Sequence, residues 1–177
     1  MHWKFAAMAH RGCVLALIGK PAEAVQTISS GIDGWRSIGA AVFAPFWFLH
    51  LALAYADLGK FDDAWRSLGE TMTAIETSKE KLCEAEINRV AGEIALRSPV
   101  WESAKAQAYF ERALTVARAQ QAKSWELRAA MSLARLWRDR GKVCQARELL
   151  APVYGWFKEG FNTLDLKEAK SLLGTLK

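Results

Sequence analysis

The chain has 177 residues, 51% apolar and 24% charged, with four prolines, which suits one globular domain with a buried core and excludes disordered, collagen-like and disulfide-scaffold chains. Its formal net charge of +5 is spread among interspersed acids and bases rather than gathered in a basic run, which argues against nucleic acid as a partner. Thirty alanines and twenty leucines favour helix.

The first apolar-periodic stretch predicts a helix near 2–18. His10 and Arg11 interrupt its apolar run, and no signal peptide is indicated. Gly19-Lys20-Pro21-Ala22-Glu23-Ala24 then supplies a helix-ending glycine, a proline suited to a first helical turn, and a small residue that lets the second helix, near 21–30, approach the first. Gly31 to Ala41 reads as a connection. Residues 37–56 follow without a formal charge, a length that could span a bilayer, but Gly39, Pro45, His50 and six alanines favour a buried helix near 43–58 instead.

Gly59-Lys60-Phe61-Asp62-Asp63-Ala64 repeats the turn and predicts a helix near 61–76. Helices near 80–97 and 102–120 form a third pair, whose turn at Ser98 to Glu102 has no glycine and whose small residue is Ala106. Helices near 123–140 and 143–157 flank the last copy, Gly141-Lys142-Val143-Cys144-Gln145-Ala146, with Pro152 expected to kink or interrupt the eighth helix. A capping helix near 165–176 completes the order. The alanines at 24, 64, 106 and 146 set a period of about 40 residues and divide the chain into copies near 1–40, 41–79, 80–121 and 122–159, with the cap at 164–177.

Before each turn a small residue precedes a large one by three positions, as in Gly12 and Leu15, Ala52 and Tyr55, and Ala134 and Trp137. This small-large arrangement, with a glycine before the turn and an alanine after it, resembles the tetratricopeptide repeat. The resemblance implies an all-α, right-handed superhelix of about four helical hairpins whose first helices line a concave groove. In the second half, Ala113-Leu114-Thr115-Val116-Ala117-Arg118, Leu133-Ala134-Arg135-Leu136-Trp137 and Leu150-Ala151-Pro152-Val153-Tyr154-Gly155-Trp156-Phe157 are similar to the carboxy-terminal repeats of large bacterial signalling proteins. In those proteins a nucleotide-cyclase domain and an ATPase domain precede the repeats. No Gly-x-x-x-x-Gly-Lys-Ser/Thr phosphate loop occurs in this chain, so the catalytic activities of that family do not carry over.

Catalytic chemistry has little to stand on. Only His10 and Cys13 share a helix face at ligand spacing, two groups where a structural zinc needs four, and no metal or cofactor is expected. Carboxylates such as Glu84 and Glu86, or Asp62 and Asp63, point in different directions on a helix. Cys13, Cys83 and Cys144 are odd in number and far apart, as befits reduced thiols in a cytoplasmic protein.

The expected function is therefore a non-enzymatic interaction module that binds a protein or peptide on the non-core face of its first helices. Phe46, Leu49 and Leu53 would form an apolar end of that face. Glu86, Arg89 and Glu93 follow at the same spacing, and Arg128, Met131, Arg135 and Arg138 form an arginine-rich end. Such a face suits a peptide with apolar anchors and an acidic end, because arginine offers paired hydrogen bonds to carboxylate. Two alternatives are a sensor domain that holds a small anionic ligand on these arginines and self-association through the apolar end.

Overall fold

The computed structural model describes residues 3–40, 42–78, 81–99 and 102–177, and among them every regular element is an α-helix. In chain order these are α1 (Trp3–Leu17), α2 (Pro21–Ser37), α3 (Ala44–Asp57), α4 (Phe61–Ser78), α5 (Glu84–Arg97), α6 (Ser103–Ala119), α7 (Lys123–Asp139), α8 (Val143–Gly155) and α9 (Leu164–Thr175). The fold is all-α, as the composition predicts. None of these helices is long and apolar enough to cross a membrane, and the uncharged run at 37–56 is divided between the end of α2, a turn and α3.

Hairpin ends follow from a repeated hydrogen-bond pattern. Gly19, Gly59 and Gly141 take the left-handed conformation, with φ of 78°, 72° and 74°. In each case the glycine N–H bonds the carbonyl three residues back, and the following lysine N–H bonds the carbonyl five residues back, at 2.9 Å for Lys20 to Leu15, 2.9 Å for Lys60 to Tyr55 and 2.8 Å for Lys142 to Trp137. This is the Schellman closure that a residue without a Cβ accommodates best. Gln121 ends α6 in the same way, with Ala122 N–H bonded to Ala117 at 2.9 Å, although its φ of 54° costs a side chain that glycine would avoid. The Ser98 to Glu102 turn of the third pair lies partly outside the described residues.

The four alanines that set the period, Ala24, Ala64, Ala106 and Ala146, all have no exposed surface. Small residues on the first helices make the complementary contact. A Cβ on Gly12 would lie 2.8 Å from the backbone nitrogen of Ile28, and one on Gly92 would enter the Phe110 ring. Close approach at these points joins α1 to α2 and α5 to α6.

Two compact units emerge. One holds α1 to α4, where α3 packs on both α1 and α2, and its core gathers Ala6, Ala9 and Cys13 of α1, Ala24, Ile28 and Ile32 of α2, and Trp47, Leu51 and Ala54 of α3. The other holds most of α5 and all of α6 to α9, with α7 packed against α6, α8 and α9. Leu166, Ala169, Leu172 and Leu176 of the α9 region are buried there, and the Leu176 carbonyl accepts a 2.9 Å bond from Arg147.

Two sequence expectations need correction. Helix α2 continues to Ser37 instead of ending near residue 30, because Gly31 acts as a contact and not as a breaker: a Cβ there would lie 2.7 Å from the Ala9 nitrogen of α1. Helix α8 runs through Pro152 and ends one turn later at Gly155. At that end of the helix the ring removes a single amide donor without interrupting the helix.

Candidate partner-binding face

In the first unit, α1 and α3 bring aromatic rings together. His10 of α1 stacks on Phe46 with centroids 5.9 Å apart and meets Phe43 and Trp47 edge-on at 6.0 and 5.5 Å. Phe46 in turn lies 4.3 Å from the His50 ring. Both imidazoles are held by their own helices: His10 Nδ1 donates to the Ala6 carbonyl at 2.8 Å and His50 Nδ1 to the Phe46 carbonyl at 2.9 Å. Phe43 remains 37% exposed and Phe46 is half-buried, so this cluster has an accessible apolar side; Leu53, two turns on from Phe46, is half-buried as well. Leu49 does not join it. Residues 47 to 52 of α3 are all buried, and a helix that is apolar around its whole circumference is enclosed, leaving Leu49 in the core.

The second unit gathers the charged candidates into an internal network. Arg89 donates from Nε and Nη2 to the two oxygens of Glu86, both at 2.8 Å, and from Nη1 to Glu93 at 3.2 Å. Ser132 of α7 donates to the same Glu93 oxygen at 2.7 Å, which ties α5 to α7. Arg128 reaches Glu86 at 3.0 Å and Asp165 of α9 at 3.9 Å, while Arg135 bonds Glu168 of α9 at 2.8 Å and Arg138 bonds its neighbour Asp139 at 2.9 Å. Burial alone would lower the Arg89 pKa, but the bond to Glu86 and the charges of Glu86, Glu93 and Asp165 outweigh it and raise that pKa above its ordinary value.

Glu86 and Met131, expected on an open face, are therefore buried. Met131 lies on α7, which is surrounded by its own unit, and Glu86 is covered by the two arginines that bind it. Arg128, Arg135 and Arg138 lie on the predicted side of α7, but α9 brings its carboxylates to the first two. The sequence reading missed Ser132, Asp165 and Glu168. Their signal was present only as a serine within the apolar run 129–134 and as acids three residues apart at the start of the cap.

A second charged group lies beside α8. A recess of about 320 Å³ is bordered by Arg118, Lys123, Glu126, Pro152 and Trp156. Both cations bond Glu126, Arg118 at 2.9 Å and Lys123 at 2.7 Å. Burial pushes the Glu126 pKa upward, yet these two bonds and charges prevail and hold it below the ordinary glutamate value. Desolvation pushes the buried Cys13 thiol up to about 12, and the side chain packs in the core with Ala9 and Ile28. Among the described residues, no three His, Cys, Asp or Glu side chains converge as a metal site would require.

No protein-family model matches this chain, and no curated protein matches it.

Proposed function

We propose that the chain is a tetratricopeptide-like repeat module that binds a protein or peptide without catalysing a reaction. The observation that carries this reading is the accessible aromatic cluster of His10, Phe43 and Phe46 on the first helices of the first unit. Rigid rings that offer large apolar area at small entropic cost are suited to anchoring a partner side chain. The Schellman-closed hairpins and the buried alanines at the repeat period support the repeat reading.

Apolar anchors dominate this recognition. An acidic end of the partner would have to displace Asp165, Glu168 or Asp139 from arginines that already hold them, and exchanging one exposed ion pair for another gains little. The buried carboxylate Glu126 is held as an anion by Lys123 and Arg118, unlike a general acid whose pKa is raised toward neutrality.

A peptide display library panned against the immobilised full chain tests the reading. Selected peptides should carry aromatic or aliphatic anchors and weaken by about tenfold against Phe46→Ala, equivalent to about 1.4 kcal/mol, while an Arg135→Ala variant retains them. Acid-rich peptides that survive Phe46→Ala and are lost on Arg128→Glu and Arg135→Glu would overturn it in favour of the arginine-rich end.

A further inference from the structure

Helix α1 carries an exposed apolar stripe, touched at its start by the Trp35 ring of α2, whose centroid lies 6.1 Å from that of Trp3. Trp3 is 72% exposed, Val14 55%, Leu17 70% and Ile18 61%, and Ala7 is exposed between them. At 100° per residue these five side chains fall on one side of the helix, with His10, which packs on the rings of Phe46 and Trp47, between Leu17 and Trp3, and with Lys4 and Arg11 along the edge beyond Ile18.

The internal repeat says what kind of surface covers this stripe. Shifting by the 40 residues from Ala24 to Ala64 places Ala7, Arg11 and Val14 on Trp47, Leu51 and Ala54 of α3. All three are buried in a core shared with α1 and α2, the preceding hairpin. Shifting by the 122 residues from Ala24 to Ala146 places the same positions on Ala129, Leu133 and Leu136 of α7, which are exposed by only 1%, 1% and 4%. In both later copies the positions of Ala7, Arg11 and Val14 are buried among helices, while those of Leu17 and Ile18, taken by Asp57 and Leu58 in one and by Asp139 and Arg140 in the other, are exposed. On α1 the middle position is an arginine, which can stay beside an apolar contact with its charge at the rim.

Charge selects the occupant. Helix α1 bears Lys4 and Arg11 and no carboxylate. Pairing α1 with α1 of a second copy would set these bases against each other. Docking onto α9 of a second copy would meet the exposed Lys167 and Lys170, whose neighbour Glu168 is already bound to Arg135. Like charges facing each other across a contact select against both arrangements.

We propose that the outward face of α1, formed by Trp3, Ala7, Val14, Leu17 and Ile18 beside Arg11, docks an amphipathic helix of a partner protein whose apolar stripe is flanked by carboxylates. The site adjoins the aromatic cluster of the proposed function at His10, and Val14→Glu and Phe46→Ala tell the two apart, since Val14 takes no part in that cluster.

The test uses the full chain and two fluorescein-labelled, hydrocarbon-stapled helices of about five turns. Both carry the same leucine stripe, flanked by glutamates in one and by lysines in the other, and binding is read by fluorescence anisotropy. The glutamate helix should bind about tenfold more tightly than the lysine helix, Val14→Glu or Leu17→Glu should weaken it about tenfold, and Arg11→Glu should reverse the preference. These positions are exposed, and unchanged circular-dichroism melts confirm that the variants fold. Equal binding of the two helices, or insensitivity to Val14→Glu, overturns the proposal. A concentration-dependent dimer in sedimentation equilibrium that Val14→Glu abolishes overturns it in favour of a second copy.

Discussion

Glu126 shows how one side chain is fixed by two others, and the direction of its pKa shift makes a pH prediction. Its folded-state pKa lies below the ordinary value of 4.5 because Lys123 and Arg118 hold the anion against the cost of burial. The stability it contributes is therefore fully present above the unfolded-state pKa and is lost as pH falls through the folded-state value. Glu126→Gln should destabilise the chain at pH 7, and the gap between variant and parent should close as pH is lowered below 4.5; urea midpoints across that range measure it. Gln121 offers a test of opposite sign. It occupies the left-handed position that glycine fills in the other Schellman turns, so Gln121→Gly should raise stability by about 0.5–1 kcal/mol, seen as an increase in thermal midpoint. No rise would mean that the strain at φ 54° is smaller than the entropy glycine gives up on folding.

At the scale of helices, the hairpins were legible in the sequence because turn closure and close packing depend on near neighbours. Gly19, Gly59 and Gly141 end their helices where the sequence places them, and the four period alanines are buried. What depends on distant partners was not legible. Gly31 reads as a break until Ala9 is seen against it, and Arg128 and Arg135 read as an open basic face until α9 supplies Asp165 and Glu168. Leu49 and Met131 sit at spacings that fit either a core stripe or an exposed one, and only enclosure of α3 and α7 decides between them. Arg89 is the strongest test of the charged network on α5, since its side chain is 13% exposed and serves both Glu86 and Glu93. Arg89→Met should cost about 3 kcal/mol, because it leaves two carboxylates in a poorly hydrated site with fewer cations. Chemical denaturation reads the loss, and a cost below about 1 kcal/mol would place the pair among weak surface bridges.

Across the whole chain, stability should behave as the sum of locally built parts. Each unit has its own buried residues, and Ala64 and Ala146 occupy the same tight position in different units. Replacing either by leucine forces extra methylenes into a contact that leaves no surface exposed, at a cost of about 1–3 kcal/mol. Because the two sites share no side-chain partner in the cores described, Ala64→Leu and Ala146→Leu should act independently. The double variant should lose the sum of the single losses to within about 0.5 kcal/mol in urea unfolding. An interaction above about 1 kcal/mol would show that strain at one hairpin reaches the other, and the chain would then behave as one cooperative core instead of a series of neighbouring contacts.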